Sequence, residues 1–397
     1  MEGRKDQNGA AQLPAEGAGC GERDASATQG AHPAAAPAPP LHNGFAGSGP
    51  ETEPRRTYAA LDLGTNNCRL LVAQPTRRGF KVKTSFSRII RLGEGLSASG
   101  RLSDQAMERT IDALKVCAGK MQSLRVERAG LIATEACRSA SNAEVFLGRA
   151  REETGLDIKV ISRETEAKLA VAGCASLLDL SSDLALVFDI GGGSSELIWL
   201  DLTRRRHRWG RSLPDRLEVQ SCIAAWTSLP VGVVTLAERF GSRSVDHAAF
   251  EAMVTHVSGL LAPFEAQHGL RQRLNGRSAH MLGTSGTVTT LAGVHLGLPR
   301  YDRSKVDGCW LGSRRAREVT AGLLSASFEE RAAQPCIGET LAEFVLGGCA
   351  ILEAMLRAWP CERLRVADRG LREGILATLM AEDGVYRSDR RHGYWRR

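Results

Sequence analysis

Residues 58–73 read YAALDLGTNNCRLLVA, and residues 185–200 read ALVFDIGGGSSELIWL. The two stretches align without a gap, so that Asp62 corresponds to Asp189. Each contains an apolar run that ends near an aspartate, a polar turn with glycine, and a second apolar run, a pattern typical of a β-hairpin. We therefore predict an internal repeat, with two copies of one unit on either side of a central cleft.

The sequence between the two copies alternates between helical and strand patterns. Residues 103–124 and 142–154 have helical spacing, and each begins at a predicted N-cap, a serine in the first and an asparagine in the second. Residues 129–133 and 158–161 are short apolar runs that predict strands. This alternation indicates an α/β unit. A further helical stretch is expected at residues 337–358.

Length and composition divide the 397-residue chain into four parts. Residues 1–55 are rich in alanine, glycine and proline and have no sustained hydrophobic period, so we predict that they are disordered. Two globular domains should follow, at residues 56–180 and 181–385, because a chain of this length exceeds one ordinary domain. Residues 386–397 are expected to form a basic tail.

Charge and hydropathy limit where the protein acts. A net charge of +7 and a pI near 9.0 are compatible with nucleic acid, an anionic membrane or an acidic small substrate, and do not choose among them. No stretch of the sequence approaches the roughly 18 apolar residues of a membrane span. The ten cysteines lack the two-residue spacing of zinc or thioredoxin-type sites. We expect a cytoplasmic protein with reduced thiols and without a membrane or nucleic-acid partner.

The turns at Gly64–Asn67 and Gly191–Ser195 are candidate phosphate-binding loops. Glycine permits backbone angles that point several N–H groups at one anion, and it lets the backbone approach closely. A single turn of this kind also occurs for purely structural reasons. Two matched copies favour the phosphate interpretation.

The aspartate before each turn suits a hard divalent cation. Magnesium prefers carboxylates and water beside phosphate oxygens, so Asp62 and Asp189 are candidate ligands. The alternative is that each aspartate only caps its own turn.

Three further segments carry groups of interest. Arg138 lies in TEACRSASN, between a predicted strand and a helix, where a guanidinium could bind phosphate oxygens or remain a solvated surface group. Glu164 and Glu166 lie in VISRETEAKLA, where a carboxylate could deprotonate a water molecule or merely be ordinary charge at a helix start. GTSGT at residues 283–287 could bind an anion at a helix N-terminus or serve tight packing.

Taken together, DLGTNNCRL, CRSASN, ISRETEAKL, FDIGGGSSEL, SLPVGVVTL, GTSGTV and ADRGLREGI resemble, in order and spacing, the exopolyphosphatase / guanosine pentaphosphate phosphatase family. The resemblance covers roughly residues 57–380. It implies an α/β fold of the actin-like ATPase superfamily, with two ribonuclease-H-like domains around a central cleft. This agrees with the repeat found in the sequence itself.

The resemblance also implies a role for individual residues. Glu166 would be the general base that activates water, and Arg138 would counter the charge of the phosphate. Asp62 and Asp189 would hold Mg²⁺ or Mn²⁺, with support from Glu196. The implied phosphate-binding residues are Gly64, Thr65, Asn66, Asn67, Gly191, Gly192, Gly193 and Ser194. The first turn departs from the family pattern, since its second asparagine stands where a hydroxyl residue is common.

Four functions remain open on the sequence. The leading hypothesis is an exopolyphosphatase that releases terminal phosphate from inorganic polyphosphate. The second is removal of the 5′ terminal phosphate of guanosine pentaphosphate (pppGpp). A kinase or ATPase of the same fold, and a non-catalytic phosphate sensor, are the less favoured alternatives. The chain lacks the His-Asp pair of the longer members' additional domain, so we expect a short, two-domain form that acts as a homodimer.

Overall fold

The computed structural model describes residues 56–76, 79–205 and 217–385, all within one unit, Glu53–Arg397. The predictions for residues 1–55 and 386–397 lie outside the described residues. Two β-sheets organise the described part, and one copy of the repeated hairpin lies at the centre of each.

The first sheet has the order β3-β2-β1-β4-β5. The hairpin strands β1 and β2 pair antiparallel, as do β2 and β3, whereas β4 and β5 join β1 in the parallel direction. The strands are β1 Tyr58–Leu63, β2 Asn67–Thr76, β3 Gly79–Ile89, β4 Arg128–Ala133 and β5 Lys159–Val160.

The second sheet has the order β10-β11-β9-β6-β7-β8. The strands are β6 Leu184–Ile190, β7 Ser195–Asp201, β8 Ile223–Leu229, β9 Ala279–Gly283, β10 Trp310–Gly312 and β11 Arg363–Val366. From β8 to β11 it repeats the first sheet, with two antiparallel pairs followed by two parallel pairs. Strand β10 is an additional antiparallel edge. The predicted fold class, two ribonuclease-H-like α/β domains, is confirmed.

Helices connect and cover the strands. They are α1 Leu96–Ser99, α2 Asp104–Ser123, α3 Glu135–Ser139, α4 Ala143–Thr154, α5 Arg163–Cys174, α6 Val233–Phe240, α7 His247–His268, α8 Leu270–Arg273, α9 Gly286–His295, α10 Arg303–Val306, α11 Ser313–Ser325, α12 Phe328–Ala333, α13 Gly338–Ala342, α14 Val345–Ala358 and α15 Leu371–Glu382. Short 3₁₀ segments lie at Ala175–Leu177, Leu202–Arg204 and Glu218–Cys222. Among the described residues, no helix is long and apolar enough to cross a membrane.

The two predicted N-caps have different outcomes. Ser103 caps α2 as predicted, since its hydroxyl accepts a hydrogen bond from the Ala106 amide. Asn142 precedes α4 but makes no capping bond. Its amide side chain instead accepts from the Leu102 N–H and donates to the Leu102 carbonyl, both at about 3 Å. The backbone of Leu102 therefore binds the Asn142 side chain in place of the helix N-terminus.

The helical stretch predicted at residues 337–358 is wrong as a single helix. It is divided into α13 and α14, with a break at residues 343–344. Leu341, Phe344 and Val345, on both sides of this break, line the cavity described below. The division places irregular backbone at the edge of the candidate site.

The last helix returns to the first sheet. Leu376 and Met380 of α15 pack in one apolar cluster with Ala60 and Leu71 of the first hairpin. Helix α15 also crosses α5, where a Cβ atom added to Gly374 would lie 2.0 Å from the Leu169 carbonyl oxygen. The predicted boundary near residue 180 separates the two sheets, but α15, which follows strand β11 of the second sheet, packs on the first sheet. The exact domain limits stay a prediction.

Candidate active site

Both copies of the hairpin close in the same way. The Gly64 N–H donates to the Asn67 carbonyl at 2.9 Å, and the Gly191 N–H donates to the Ser194 carbonyl at 2.9 Å. Each aspartate is the second-last residue of the first strand of its hairpin, so the two aspartates occupy equivalent positions in their sheets. The repeat seen in the sequence is therefore also a repeat of turn geometry.

The two turns lie against each other. A Cβ atom added to Gly192 would be 3.1 Å from the Thr65 Cβ, so the backbone of the second turn passes close to the side chain of the first. Helix α6 supports the second turn from its other side. The Val233 and Val234 amides donate to the Gly191 and Gly192 carbonyls at 3.0 and 2.8 Å. These amides at the helix start thus hold the glycine turn in place.

One cavity of about 130 Å³ joins the residues that the sequence singled out. All predicted site residues except Arg138 lie on its wall, although their roles stay predictions. The predicted residues on the wall are Asp62, Gly64, Thr65, Asn66, Asn67, Glu166, Asp189, Gly191, Gly192, Gly193, Ser194 and Glu196. The GTSGT segment contributes Gly286 and Thr287.

The buried carboxylates of the two hairpins have few positively charged neighbours. Burial raises the pKa of both Asp62 and Asp189, against the effect of the nearby Arg69 guanidinium. Burial, followed by the charge of Asp189, raises the pKa of Glu196 to about 7. The Glu196 carboxylate accepts hydrogen bonds from the Ser194 and Ser228 hydroxyls at 2.8 and 2.9 Å. A cation in the cavity would relieve this repulsion.

Glu166 lies in the first turn of α5, which begins at the N-cap Ser162. Its side chain is 12% exposed. Burial, followed by the charge of Glu196, raises the pKa of Glu166 against the effect of Arg138. A divalent cation held by the neighbouring carboxylates would lower this pKa and favour the ionised form that a base requires. A carboxyl group in a buried, negatively charged site is the kind of group that enzymes use for proton transfer.

Arg138 is not one of the described residues that line the cavity. Its guanidinium donates to the Glu135 carboxylate at 2.8 and 3.0 Å, and to the Glu166 carboxylate at 2.7 Å. A fourth hydrogen bond, of 3.0 Å, goes to the Ile161 carbonyl. In this structure the guanidinium of Arg138 binds two carboxylates, so its predicted contact with phosphate would have to replace one of them.

The donor set fits a hard divalent cation held by few protein ligands. Among the described residues, no group of three or more His, Cys, Asp or Glu side chains has the arrangement of a metal site. The predicted set of Asp62, Asp189 and Glu196 is thus not preassembled as a three-carboxylate cage. Magnesium usually takes one or two carboxylates together with water and substrate phosphates, and the two aspartates in one cavity meet that need.

Sequence reasoning missed several residues on the cavity wall. Arg69 occupies the repeat position of Glu196, so the alignment of the two hairpins contained a signal for it. Glu135 lies three residues before Arg138, and the two face each other across one helical turn. Thr290 lies two residues after GTSGTV, on the helix that this motif begins, whereas Phe344 comes from a segment without a recognisable motif, and only the fold brings it to the cavity.

A model of the Ppx/GppA phosphatase family matches residues 71–383. This range contains Arg138, Glu166 and the second glycine turn, and it begins after the first turn. The predicted resemblance to this family is thereby confirmed. Assignment of the first turn rests on the internal repeat and on its place in the cavity.

Two bacterial proteins with the same name are similar to most of the chain. Guanosine-5'-triphosphate,3'-diphosphate pyrophosphatase of Photobacterium profundum is 28% identical over 326 residues, which cover 82% of this chain and 59% of that protein. Its counterpart from Aliivibrio fischeri is 32% identical over 240 residues, which cover 60% and 44%. The chain thus spans only about half the length of the curated relatives it matches.

Solved structures match over nearly their full length. A Ppx/GppA family member from Aquifex aeolicus has a TM-score of 0.66 and 28% identity, covering 83% of this chain and 99% of that one. An exopolyphosphatase from Cytophaga hutchinsonii has a TM-score of 0.71 and 23% identity, covering 82% and 98%. The second similarity supports the fold alone.

Proposed function

Because the chain belongs to the Ppx/GppA phosphatase family, we propose that it is a divalent-metal-dependent phosphohydrolase that removes the terminal phosphate of a phosphoanhydride polyanion. One observation carries the proposal. A single cavity contains a buried carboxylate for proton transfer, two aspartates of the repeated hairpins and both glycine turns. Phosphoryl transfer depends mainly on positioning and on electrostatic stabilisation, and this set of groups supplies both.

In the proposed reaction, Glu166 accepts a proton from a water molecule. The water oxygen forms a bond to the terminal phosphorus, while the bond from that phosphorus to the bridging oxygen breaks. The leaving chain keeps the bridging oxygen as an oxyanion, and the terminal group departs as orthophosphate. The position of Glu166 on the cavity wall supports its role as the general base.

Backbone amides of the second turn are available to the phosphate. Among the described residues, the N–H groups of Gly192 and Gly193 have no protein acceptor, and both residues lie on the cavity wall. Unpaired N–H groups at a glycine turn are suited to an anion. The proposed cation, Mg²⁺ or Mn²⁺, would be held by Asp62 and Asp189 and would offset the negative charge of the leaving group.

Inorganic polyphosphate is the first proposed substrate, since the cavity offers groups for phosphate and metal rather than for a particular nucleoside. Guanosine pentaphosphate is the second candidate. It is supported by the names of the two bacterial relatives, and by a second cavity of about 180 Å³ that shares Thr65, Asn66 and Phe344 with the first. That cavity is lined by Glu94, Glu238 and Glu343 with one arginine, which disfavours a long polyanion.

The test is release of orthophosphate by the purified full-length chain, with and without Mg²⁺, from long-chain polyphosphate and from guanosine pentaphosphate in parallel. Glu166→Gln removes the proposed base and should lower kcat by at least about 100-fold. Glu164→Gln is the matched control, because Glu164 lies two residues away on the same helix, is exposed, and pairs only with Lys168 among the described residues.

Metal-dependent release that disappears in Glu166→Gln and survives in Glu164→Gln supports the proposed function, and the faster substrate identifies the leading candidate. Absence of release from either substrate by the folded wild-type protein overturns it. Phosphate transfer from ATP to an acceptor, or binding of either substrate without turnover, would then favour the kinase or the sensor hypothesis.

A further inference from the structure

Arg138 is held by carboxylates on two sides. Its Nε and Nη2 atoms donate to Glu135 Oε2, and its Nη1 atom donates to Glu166 Oε2 and to the Ile161 carbonyl. The four hydrogen bonds engage all three nitrogens of the guanidinium. The Arg138 and Glu166 side chains are each 12% exposed, and that of Glu135 is 11% exposed. The three side chains therefore form a nearly buried bridge.

Glu135 is itself fixed by other groups. Arg163 donates to its two carboxylate oxygens at 2.7 and 3.2 Å, and the Ser139 hydroxyl donates to Oε1 at 2.8 Å. Burial alone favours the neutral form of Glu135, but the hydrogen bonds from Arg163 and Arg138 outweigh it and lower the pKa of this carboxyl. Glu135 is thus a charged and immobile partner for Arg138.

This arrangement leaves little of the Arg138 guanidinium for a ligand. A guanidinium has five N–H groups, and a bidentate grip on phosphate needs two of them on one side. Such a grip would require Arg138 to leave at least one carboxylate. Breaking a buried ion pair costs free energy, because the remaining charge is left unpaired in the low-dielectric interior of the protein.

We propose that Glu135 and Arg138 are positioning residues that fix the carboxylate of Glu166 for proton transfer from water. The inference rests on the proposed function, in which Glu166 is the general base. Glu135 holds the guanidinium, and the guanidinium holds one oxygen of Glu166. The chain of contacts runs from α3 to the first turn of α5, and so connects the first sheet to the reacting group.

The same contacts identify the oxygen that receives the proton. Among the described residues, Oε2 is the oxygen of Glu166 that accepts protein hydrogen bonds, and it does so from Arg138. Oε1 has no such partner and belongs to a side chain on the cavity wall. The attacking water therefore gives its proton to Oε1, while the Arg138 contact keeps the carboxylate from rotating.

The experiment separates positioning from phosphate binding through kcat and KM. Glu135→Gln keeps the shape of the side chain and removes its charge. It should lower kcat by about 10- to 100-fold with KM within about twofold, because misplacing a catalytic group costs rate and not ground-state binding. Arg138→Lys keeps the charge but cannot bridge two carboxylates, and it should have the same effect.

Two comparisons make the result specific. Glu153→Gln removes a carboxylate that pairs with two cationic side chains, Arg149 and Lys115, at a more exposed position outside the cavity, and it should leave both kinetic constants unchanged. Combining Glu135→Gln with Glu166→Gln should lower the residual rate no further than Glu166→Gln alone. If the role of Glu135 were purely structural, Glu135→Gln would lower kcat by the same factor in the wild type and in Glu166→Gln.

Melting temperatures of all variants show whether each remains folded. If Glu135→Gln unfolds, Glu135→Asp is the substitute. It keeps the negative charge on a side chain that is one methylene shorter, and it should give a smaller loss of kcat with KM unchanged. Unchanged kcat in Glu135→Gln, or a tenfold rise in KM with unchanged kcat in Arg138→Lys, overturns the inference, and the latter assigns Arg138 to the phosphate. Failure of the proposed function is distinguishable, since the wild type would then release no phosphate, or Glu166→Gln would remain active.

Discussion

Arg69 and Glu196 occupy the same position of the two hairpins. Arg69 lies opposite Asp62 in the first hairpin, and Glu196 lies opposite Asp189 in the second, while both residues line the one cavity. The duplicated framework is therefore symmetric, but its charges are not. The first hairpin contributes a guanidinium to the cavity, and the second contributes an additional carboxylate.

Replacement of Arg69 by glutamine should weaken substrate binding. The guanidinium is the cavity-lining arginine in the described part of the chain, and it offsets the charges of Asp62 and Asp189. Removing it leaves carboxylates as the only charged side chains among the described residues that line the cavity, so KM should rise at least about tenfold. Steady-state phosphate release measures the change. Arg88→Gln, on the exposed part of the same sheet, should leave KM unaltered, and an equal effect of both variants would contradict the assignment.

Substitution of Gly232 by alanine should disrupt the second turn. The added Cβ would lie 2.4 Å from both the carbonyl carbon and oxygen of Gly192, and backbone atoms cannot rotate away. We expect a lower melting temperature together with a loss of activity. Gly259→Ala is the matched control, because a Cβ at that position of α7 meets nothing within 4 Å. Alanine there should be neutral or stabilise the helix by up to about 1 kcal/mol.

The outcome for Gly232 is informative because both variants make the same chemical change. Thermal unfolding and kcat/KM of the two proteins, measured side by side, provide the test. Full activity in Gly232→Ala would mean that the second turn tolerates a shift away from α6. The glycine at the start of that helix would then have no role in holding the site.

The sequence was sufficient to predict the centre of each sheet, because a hairpin is a local pattern that occurs twice. The alignment of Asp62 with Asp189 follows from the same local pattern. Residues 79–89 and 223–229, the third strands, were not predicted. In the first of them Phe80, Val82 and Phe86 alternate with polar residues, so a local strand signal was present, whereas IAAWTSL at residues 223–229 has no such alternation. Tertiary pairing with β2 and β7 decides their conformation.

The contacts of Arg138 show where sequence reasoning ends. Its spacing from Glu135 is a helical i, i+3 pair and was visible in the sequence. Its contact with Glu166 depends on the parallel pairing of β4 with β5, which brings residues 28 positions apart into one site. Pairing between strands that are distant in sequence is not encoded in any one segment. The same is true of α15, which returns to the first sheet.

Acid should destabilise the protein through His280. This side chain is fully buried in β9, and its Nε2 atom accepts a hydrogen bond from the Asp179 amide. Burial lowers its pKa to about 4, from 6.5 in the unfolded chain, despite the nearby Asp179 carboxylate. The unfolded state therefore takes up a proton first, and stability is lost as the pH falls from 6.5 to 4.

The expected loss from this one group is roughly 2 to 3 kcal/mol between pH 7.5 and 4.5. Urea unfolding at several pH values measures it. His280→Gln keeps an acceptor for the Asp179 amide and does not titrate, so its free energy of unfolding should fall less steeply over this range. Parallel curves for the two proteins would show that His280 does not carry the acid sensitivity.

Removal of a buried carboxylate should have opposite effects with and without Mg²⁺. Burial raises the pKa of Asp189, so its charge costs stability when no cation is present, and Asp189→Asn should melt at a higher temperature than the wild type in EDTA. With Mg²⁺ at about 100 times its Kd, linkage stabilises the wild type by about 2.7 kcal/mol, or roughly 5 °C. The variant should lose this gain. Asp157→Asn, at an exposed position, should melt like the wild type under both conditions. A magnesium-dependent shift that persists in Asp189→Asn would place the cation elsewhere.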